Sequence, residues 1–408
     1  MFQDYKEDGP SLLTGTDSKI RGSFLLTGLA GSGTTVANTL RRAILMETRT
    51  VGFRADLTNT VDPGIRIKKN TGPIFNQMLA HRLTLIPIGV RNFDFDPSKY
   101  EFTLKVSNTS AVAVDVTADM FQVSEKGDDG LFHPMDPVVT AAMFPRDPIT
   151  GSTCLITTLR PHWNPDLPPD EIDLVATAVY GTGREFMGFC PVAQAAFHNT
   201  LDEDPVRQDN FFKTWLADFK KVTDSTTLEP TVLAAYRAEW STMAIQRCFQ
   251  VDAKGEPNSF TFNVESVGIR PVKEIVEEAI KSVITLVSAY TDAALFEGVS
   301  FTTLDSRMSG IQVAFMNQEH TLGCLLEAMI HELYLTTEGD APVTYAAYKV
   351  PHPLQKKMVL ILGKHVTGHD DVTEEVAAQV VVAAAKKAKS VFEGLLEAWT
   401  SMVKSGSP

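Results

Sequence analysis

The sequence has few cysteines, no excess of positive charge and no long apolar run, and each absence excludes a class of protein. Its four cysteines are scattered without a Cys-x-x-Cys pair, which indicates free thiols rather than a zinc site or a disulfide framework. The formal net charge is −13, whereas duplex-binding proteins usually carry a basic face, so no direct specific nucleic-acid contact is expected. No apolar run reaches the roughly 18 residues of a membrane span. The polar, acidic N-terminus does not resemble a signal peptide, so we expect no membrane association.

The composition is that of an ordinary globular protein, and the chain is long enough for two or three domains. It has 408 residues, of which 44% are apolar and 21% are charged. Alternating runs at 102–106, 112–116 and 172–180 predict half-buried strands. Helical stripes at 35–47 and 271–289 predict amphipathic helices. This mixture predicts the α+β fold class.

The last predicted helix, from about residue 372 to 403, needs a partner. At 1.5 Å per residue it is roughly 45 Å long, too long for a small core to cover alone. We expect it to pack against helix 271–289 from the other half of the chain, because burial of both apolar stripes stabilises the pair. The short connection would make this pairing intramolecular.

A glycine-rich stretch at 28–35 is the one segment that suggests enzymatic chemistry. It has the Gly-x-x-x-x-Gly spacing of a phosphate-binding loop between a strand and a helix. Such a loop needs a lysine next, to reach the β- and γ-phosphates, and this chain has Thr34. A nucleotide-binding enzyme that uses this loop is therefore the alternative function. The simpler interpretation is a glycine-rich turn, capped by Ser or Thr, at the start of a helix.

The stretch from Glu319 to Leu354 contains the most distinctive pattern. It begins Glu-His-Thr-Leu-Gly and ends Tyr-Lys-Val-Pro-His-Pro-Leu. Between them lies one apolar helix face, formed by Leu322, Leu325, Leu326, Met329, Ile330 and Leu333. The pattern alone predicts a core helix followed by a strand at 358–362. The two motifs, in this order and at this distance, resemble the small alpha-like subunit of multisubunit RNA polymerases, the eleventh subunit of polymerase II.

A second resemblance covers the first part of the chain. The segment 37–45, Ala-Asn-Thr-Leu-Arg-Arg-Ala-Ile-Leu, is followed about forty residues later by His81-Arg-Leu-Thr-Leu-Ile-Pro87. Together they resemble the large alpha-like subunit, the third subunit of polymerase II and the N-terminal domain of bacterial alpha. Gly183-Arg-Glu185, leading to the Phe-Cys-Pro-Val at 189–192, resembles the end of the insertion domain in that subunit. Some relatives carry a cysteine-ligated metal there, but this chain lacks the clustered thiols.

The resemblance implies two alpha-like dimerisation modules in one polypeptide, with a β-rich insertion domain in the first. The expected domains are 20–88 plus 258–292, an insertion domain at 89–257, and a second module at 309–408. The expected function is a non-catalytic assembly platform of a DNA-dependent RNA polymerase. Its partners would be the two largest catalytic subunits, the second-largest of them docking on the insertion domain, and small platform subunits. No cofactor and no metal are expected.

The resemblance also assigns the subunit-interface residues. Without it, Arg41 and Arg42 would be interpreted as a solvated helix face; with it, they are expected to contact a catalytic subunit. The full set is Asn38, Leu40, Arg41, Arg42, His81, Arg82, Gly183, Arg184, Glu185, Glu319, His320, Thr321, Leu322, Gly323, Leu326, Tyr348, Lys349, Pro351, His352 and Pro353. A fusion of this kind resembles the arrangement in some large cytoplasmic DNA viruses, which implies the host cytoplasm and the virion as location. If the protein is not viral, the nucleus is expected.

Four segments receive weaker predictions. Residues 1–20 are polar and are predicted to be a loose arm, and 293–308 a connection between the halves. Residues 200–257 match no feature of the family. Within them, the pattern at 232–249 predicts a helix. His365 and His369 have a His-x-x-x-His spacing, but the turn-like composition around Gly368 argues against a rigid metal site.

Overall fold

The chain is described by a computed structural model. It covers residues 1–11, 18–29, 31–56, 64–89, 96–147, 149–224, 226, 228–304, 309–336, 341–364 and 372–405. Within these ranges both helices and sheets are abundant, as the α+β prediction requires. No helix in these ranges is long and apolar enough to cross a membrane.

The strands and α-helices follow in chain order, within the described ranges. The strands are β1 Phe2–Ser11, β2 Lys19–Thr27, β3 Arg49–Phe53, β4 Ile65–Asn70, β5 Tyr100–Asn108, β6 Val114–Thr117, β7 Gln122–Lys126, β8 Phe132–Pro134, β9 Leu155–Leu159, β10 Asp170–Thr182, β11 Val192–Asn199, β12 Ser259–Ser266, β13 Val299–Thr303, β14 Ser309–Met316, β15 Tyr345–Lys349 and β16 Lys357–Lys364. The helices are α1 Gly33–Met46, α2 Asn76–Thr84, α3 Pro137–Ala142, α4 Pro205–Trp215, α5 Pro230–Met243, α6 Val272–Ser288, α7 His320–Ile330 and α8 Glu374–Ser405.

The fold contains the same unit twice. We call β1, β2, α1, β11, β12 and α6 the front module, and β13, β14, α7, β15, β16 and α8 the back module. The front sheet has the order β1-β2-β12-β11 and the back sheet the order β13-β14-β16-β15, with every neighbour antiparallel. Each module is thus two strands, a helix, two strands and a second helix, with the same connectivity.

The repeat extends to single hydrogen bonds. The residue after β2, Gly28, donates its N–H to the carbonyl of Asn258, just before β12, at 3.0 Å. In the back module Asn317, the residue after β14, donates to Lys356, just before β16, at 2.6 Å. Both donors have a left-handed backbone, with φ of 76° and 59°. Glycine and asparagine are residues that adopt this conformation readily, which explains their presence here.

The two modules share one hydrophobic core. A single cluster of buried side chains joins strands of both sheets with α1, α6, α7 and α8. The four helices form a closed ring, in which α1 packs on α6 and α7, and α8 packs on the same two. The predicted pairing of the last helix with helix 271–289 is therefore present. We call the contact between the two modules the module seam.

At one end of the module seam, the end of α8 packs into the front module. Trp399 is fully buried, and its ring packs edge-on against Phe2 and Phe24, with centroids 5.0 Å away in each case. Its indole Nε1 donates to the Lys273 carbonyl, in the first turn of α6, at 3.1 Å. The indole thus buries a large apolar area and still satisfies its one polar group.

The insertion domain has a separate core. Its main sheet has the order β3-β10-β5-β7-β8, with β4 also on β10, and β6 pairs with β9 nearby. Aromatic side chains of Phe53, Phe102, Phe121 and Phe144 pack at its centre. This second core includes Val51, Phe53, Ile65, Leu79 and Leu83, which come from a segment that the sequence analysis assigned to the dimerisation domain. The reason is that β3 and β4 both pair with the long strand β10.

The unexplained stretch 200–257 forms a small helical unit between β11 and β12, which we call the helical insert. Helices α4 and α5 enclose their own cluster around Phe212, Leu216 and Trp240. The ends of the insert meet, because Asp202 N–H donates to the Cys248 carbonyl at 2.9 Å. The insert is therefore an extension of a hairpin tip with a core of its own.

The sequence prediction of a loose arm is wrong, and the connection between the halves contains a strand that was not predicted. The arm at 1–20 contains β1, an edge strand paired with β2 through irregular register. Its sequence is polar because, of its ten residues, only Phe2 is buried, so it lacks the alternation that identifies a strand. The connection at 293–308 contains β13, the edge strand of the back sheet, whose residues are likewise only partly buried or exposed.

Candidate subunit interface

The outer face of α1 carries a fixed guanidinium group. Arg41 donates from Nε and Nη2 to Asn38 Oδ1, one turn earlier, at 3.0 and 2.9 Å. Burial, and then the neighbouring charge of Arg42, lower the pKa of Arg41 from its ordinary value. The Asn38 amide oxygen accepts from two of the guanidinium nitrogens, so the remaining N–H groups of Arg41 can donate to an acceptor on another protein.

Arg42, by contrast, points into the module seam. Its Nε donates to Thr321 Oγ1 in the first turn of α7, at 2.8 Å. The two sequence motifs that carried the family resemblance are thus joined by a hydrogen bond between the modules. In the isolated chain this arginine contacts the other half of its own protein.

Around α7, one aromatic side chain explains several motif residues. The ring of Tyr348 on β15 lies against Gly323, where a Cβ atom would be 2.4 Å from the ring. The Tyr348 hydroxyl is 3.3 Å from His320 Nδ1, and the two rings pack edge-on. Burial raises the pKa of Tyr348. Of this group His320 is exposed, so the motif presents one imidazole at the surface and a packed tyrosine beneath it.

Several predicted interface residues belong to the interior. Five of them lie on the buried faces of α1 and α7: Leu40, Thr321, Leu322, Gly323 and Leu326. Gly183 is buried where the insertion domain meets the end of α1. These residues lie in the interior, and in this structure they offer no surface to another subunit.

The hairpin tip after β15 is exposed. Lys349, Pro351, His352 and Pro353 all lie at the surface, and the adjacent Leu354 is 88% exposed. Glu319, at the start of α7, is half-buried. The tip occupies the same place in the back module as the helical insert does in the front module.

The Gly-Arg-Glu motif joins the insertion domain to the front module. Arg184 forms an ion pair with Glu47, with Nε 2.9 Å from Oε1, and its N–H donates to the Met46 carbonyl. At Gly183 a Cβ atom would lie 2.2 Å from the Leu45 carbonyl oxygen. Glu185 pairs with Arg54 at the surface. The motif therefore fixes the insertion domain on the last turn of α1.

His81 and Arg82, the second part of the motif in the first half of the chain, lie on the insertion domain. Arg82 donates to the carbonyls of Ile156 and Leu155 at 2.7 and 2.8 Å, which ties α2 to β9. His81 is exposed beside a groove of about 330 Å³ that also includes Arg54 and Phe186. Of this pair, His81 is the residue available to a partner.

The glycine-rich loop binds carboxylates of its own chain. Ser32 N–H, at the start of α1, donates to Glu332 Oε1 of the back module at 2.8 Å. Gly31 N–H donates to Asp252 Oδ2, at the base of the helical insert, at 3.3 Å. A phosphate at this helix N-terminus would have to displace these carboxylates. At Gly33 a Cβ atom would be 2.9 Å from the Pro257 carbonyl, so this glycine serves close packing.

Sequence reasoning missed Glu332 and Asp252 as contact residues. One signal for Glu332 exists: an acidic residue at the C-terminal end of a helix is disfavoured by the helix dipole, which suggests a partner elsewhere. Asp252 carried no such signal. Among the described residues no group of three or more His, Cys, Asp or Glu could hold a metal ion. The pair at His365 and His369 lies outside the described residues.

Comparison with known proteins matches both modules to one family. The family described as "RNA polymerase Rpb3/Rpb11 dimerisation domain" matches residues 28–287, and a second profile with the same description matches residues 311–398. The chain is also similar to the proteins named "DNA-directed RNA polymerases I and III subunit RPAC1" of Bos taurus and Homo sapiens. Each is 24% identical over 281 residues, covering 62% of this chain and 76% of the relative.

Proposed function

Because this chain belongs to the RNA polymerase Rpb3/Rpb11 dimerisation-domain family, we propose that it is a non-catalytic assembly-platform subunit of a multisubunit DNA-dependent RNA polymerase. The observation that carries the proposal is the pairing of both matched segments within one chain. The two segments bury a common core and exchange hydrogen bonds at Arg42 and Glu332. A single chain thus forms the kind of paired unit for which the family is named.

In this role the platform supplies geometry rather than chemistry. The four-helix ring and its two sheets share one core, and the two largest catalytic subunits would dock on this unit so that their active-site parts meet. The residues available for docking are the partly exposed Asn38 and Arg41 on α1, the exposed His81 and Glu185 on the insertion domain, and the exposed tip at 349–353. The insertion domain would hold the second-largest subunit, and small platform subunits would bind alongside.

We further propose that the fusion of two modules reflects an origin in a large cytoplasmic DNA virus. The protein would then be found in the cytoplasmic viral factory and in the virion, and otherwise in the nucleus. Immunolocalisation in the native source distinguishes these locations.

Affinity purification of the full-length chain from its native source tests the platform role. The expected result is recovery of two very large partners in equal amounts with the chain, together with promoter-independent RNA synthesis by the complex. Recovery of the chain alone, or of partners without polymerase activity, would contradict the proposal. It would leave a stand-alone dimerising adaptor as the better description.

A further inference from the structure

The two modules present matching helix faces of opposite charge. The buried positions 36, 37, 39, 40, 43 and 44 of α1 correspond to 322, 323, 325, 326, 329 and 330 of α7. This match sets Thr35 against Thr321 and Leu40 against Leu326. It also sets Arg41 against Glu327, so one matched position carries a cation in the front module and an anion in the back module.

Arg41 and Glu327 each lie on a stripe of exposed and half-buried residues along one side of their helix. The front stripe consists of Thr34, Asn38, Arg41 and Leu45, spaced as i, i+4, i+7 and i+11 along α1, and each is exposed or half-buried. The back stripe has the same spacing and consists of His320, Cys324, Glu327 and His331, of which the two histidines are exposed and the other two residues half-buried. The Cys324 thiol also contacts α1, with its Sγ 3.8 Å from Thr35 Oγ1. Because the modules share one topology, the two stripes are equivalent surfaces of the platform.

The charges on the stripes are held differently. In the front stripe Asn38 fixes the Arg41 guanidinium with two hydrogen bonds. In the back stripe the Glu327 carboxylate forms no hydrogen bond or ion pair within the part of the chain that the structure describes. Burial raises its pKa, and the imidazole of His331 opposes that effect. A half-buried carboxylate without a hydrogen-bond donor gains from a charged donor supplied by another molecule.

We infer that the back stripe is a docking site for a cationic side chain of one large polymerase subunit, with Glu327 as its acceptor. The front stripe, through Arg41, takes an acidic side chain of the other large subunit. Opposite charges at equivalent positions help to distinguish two partners, because a wrong pairing places like charges together. This inference rests on the proposed platform function and adds to it a rule for which partner binds on which side.

The test compares two charge reversals in the full-length chain, each reconstituted with the two largest subunits from the native source. Arg41→Glu is expected to release one large subunit and Glu327→Arg the other, each with a loss of affinity of about tenfold or more. Glu327→Gln, which keeps the shape of the side chain, should weaken the same subunit as Glu327→Arg to a smaller extent. Glu397→Arg, on the exposed face of α8, is the matched control and should leave both subunits bound.

The possible outcomes separate this inference from the proposed function. If the wild-type chain captures neither large subunit, the platform function and the inference both fail. If the wild type captures both, and Glu327→Arg and Glu327→Gln also do so with unchanged affinity, the inference alone is overturned. Release of the same subunit by Arg41→Glu and Glu327→Arg would also overturn it. A melting temperature equal to wild type in each variant shows that the loss is one of docking and not of folding.

Discussion

At the scale of single residues, Gly323 shows why the central motif of α7 has its particular composition. The position is buried against the Tyr348 ring, and any side chain would overlap that ring. The glycine is therefore required by the packing of the helix on β15. Its φ is not in the left-handed region, so backbone conformation is not the reason.

We predict that Gly323→Ala destabilises the chain by about 1–3 kcal/mol, because the added methyl group overpacks the contact with Tyr348. Chemical denaturation followed by circular dichroism measures the change. Gly394→Ala in α8 is the control, and we expect it to stabilise the chain. There a Cβ atom would meet only the end of Met1, at 3.5 Å, and alanine favours the helix by about 0.5–1 kcal/mol. Equal effects of the two substitutions would contradict the packing argument.

Glu332 allows a second prediction at this scale. The Ser32 side chain does not cap helix α1. Instead, the backbone N–H of Ser32 donates to the carboxylate of Glu332, which belongs to the other module. We expect Glu332→Ala to lower the free energy of unfolding by about 1 kcal/mol, through loss of the acceptor and of its favourable charge at the helix N-terminus. Glu397→Ala, on an exposed helix face, should change stability by less than about 0.5 kcal/mol. A Glu332 variant as stable as the Glu397 control would show that the contact between modules contributes nothing.

Which residues the sequence could identify depended on whether their contacts are local. The apolar face of α7 was predictable, because helical spacing fixes which side chains share a face. The roles of Arg42 and Glu332 were not, since each is defined by a partner about 280–300 residues away in the chain. Leu40 and Leu326 were assigned to a subunit interface by resemblance, although their helical periodicity alone pointed to the core, where they lie.

At the scale of elements, helix α8 holds the two modules together. It has 32 residues, so it is about 48 Å long, and it packs on α7 of its own module and on α6 and β1 of the other. The contact of Trp399 with Phe2, Phe24 and Lys273 is made entirely with the front module. The end of this helix therefore completes a core that belongs mainly to the other end of the sequence.

We predict that Trp399→Ala destabilises the chain by about 3–5 kcal/mol, because it leaves a cavity among aromatic side chains and removes the hydrogen bond to the Lys273 carbonyl. Trp399→Phe keeps a ring and loses the hydrogen bond, so its effect should be smaller. Thermal melting of the three proteins side by side measures the order. A Trp399→Ala variant with the same melting temperature as the wild type would contradict the claim that α8 joins the modules.

The seam can also be broken from the side of α7. Leu326 is fully buried, so Leu326→Asp places an uncompensated charge in the shared core and should give an insoluble or rapidly proteolysed chain. Leu354→Asp is the matched control, since that leucine is 88% exposed at a hairpin tip, and its product should be soluble. Solubility and resistance to limited proteolysis distinguish the two variants; a soluble, protease-resistant Leu326→Asp protein would contradict a common core.

Among the elements, those with a clear apolar period were predicted and the edge strands were not. Helices α1, α6 and α8 and strands β5, β10 and β12 each bury one regular set of side chains. Strands β1 and β13 lie at the edges of their sheets and bury little, so the hydrogen bonds to their neighbours define them and their composition does not. The symmetry between these two strands becomes visible only when both sheets are compared.

At the scale of the whole molecule, the chain is one duplicated unit with two additions to the first copy. The insertion domain follows α1 and the helical insert extends the β11–β12 hairpin, each around its own core. The back module has short connections at both places. Additions with separate cores can elaborate one copy without disturbing the shared seam, which explains why the motifs of both copies remain recognisable.

This organisation predicts that the helical insert can be removed. Replacing residues 203–247 with a two-residue turn should leave a folded, soluble platform that melts within a few degrees of wild type, because the residues at the cut, Asp202 and Cys248, already share a hydrogen bond. Size-exclusion chromatography and thermal melting provide the measurement. Loss of the folded state would show that the insert supports the front module after all.

The position of Trp399 also has a consequence for how the protein is made. A ribosome that has finished β12 must add well over a hundred further residues before this indole emerges, which takes on the order of ten seconds at ordinary rates of translation. During that interval the aromatic face around Phe24 and Phe262 has no cover from α8. The nascent front module therefore exposes apolar surface of the kind that chaperones bind, and we expect a chain truncated shortly before residue 399 to be degraded.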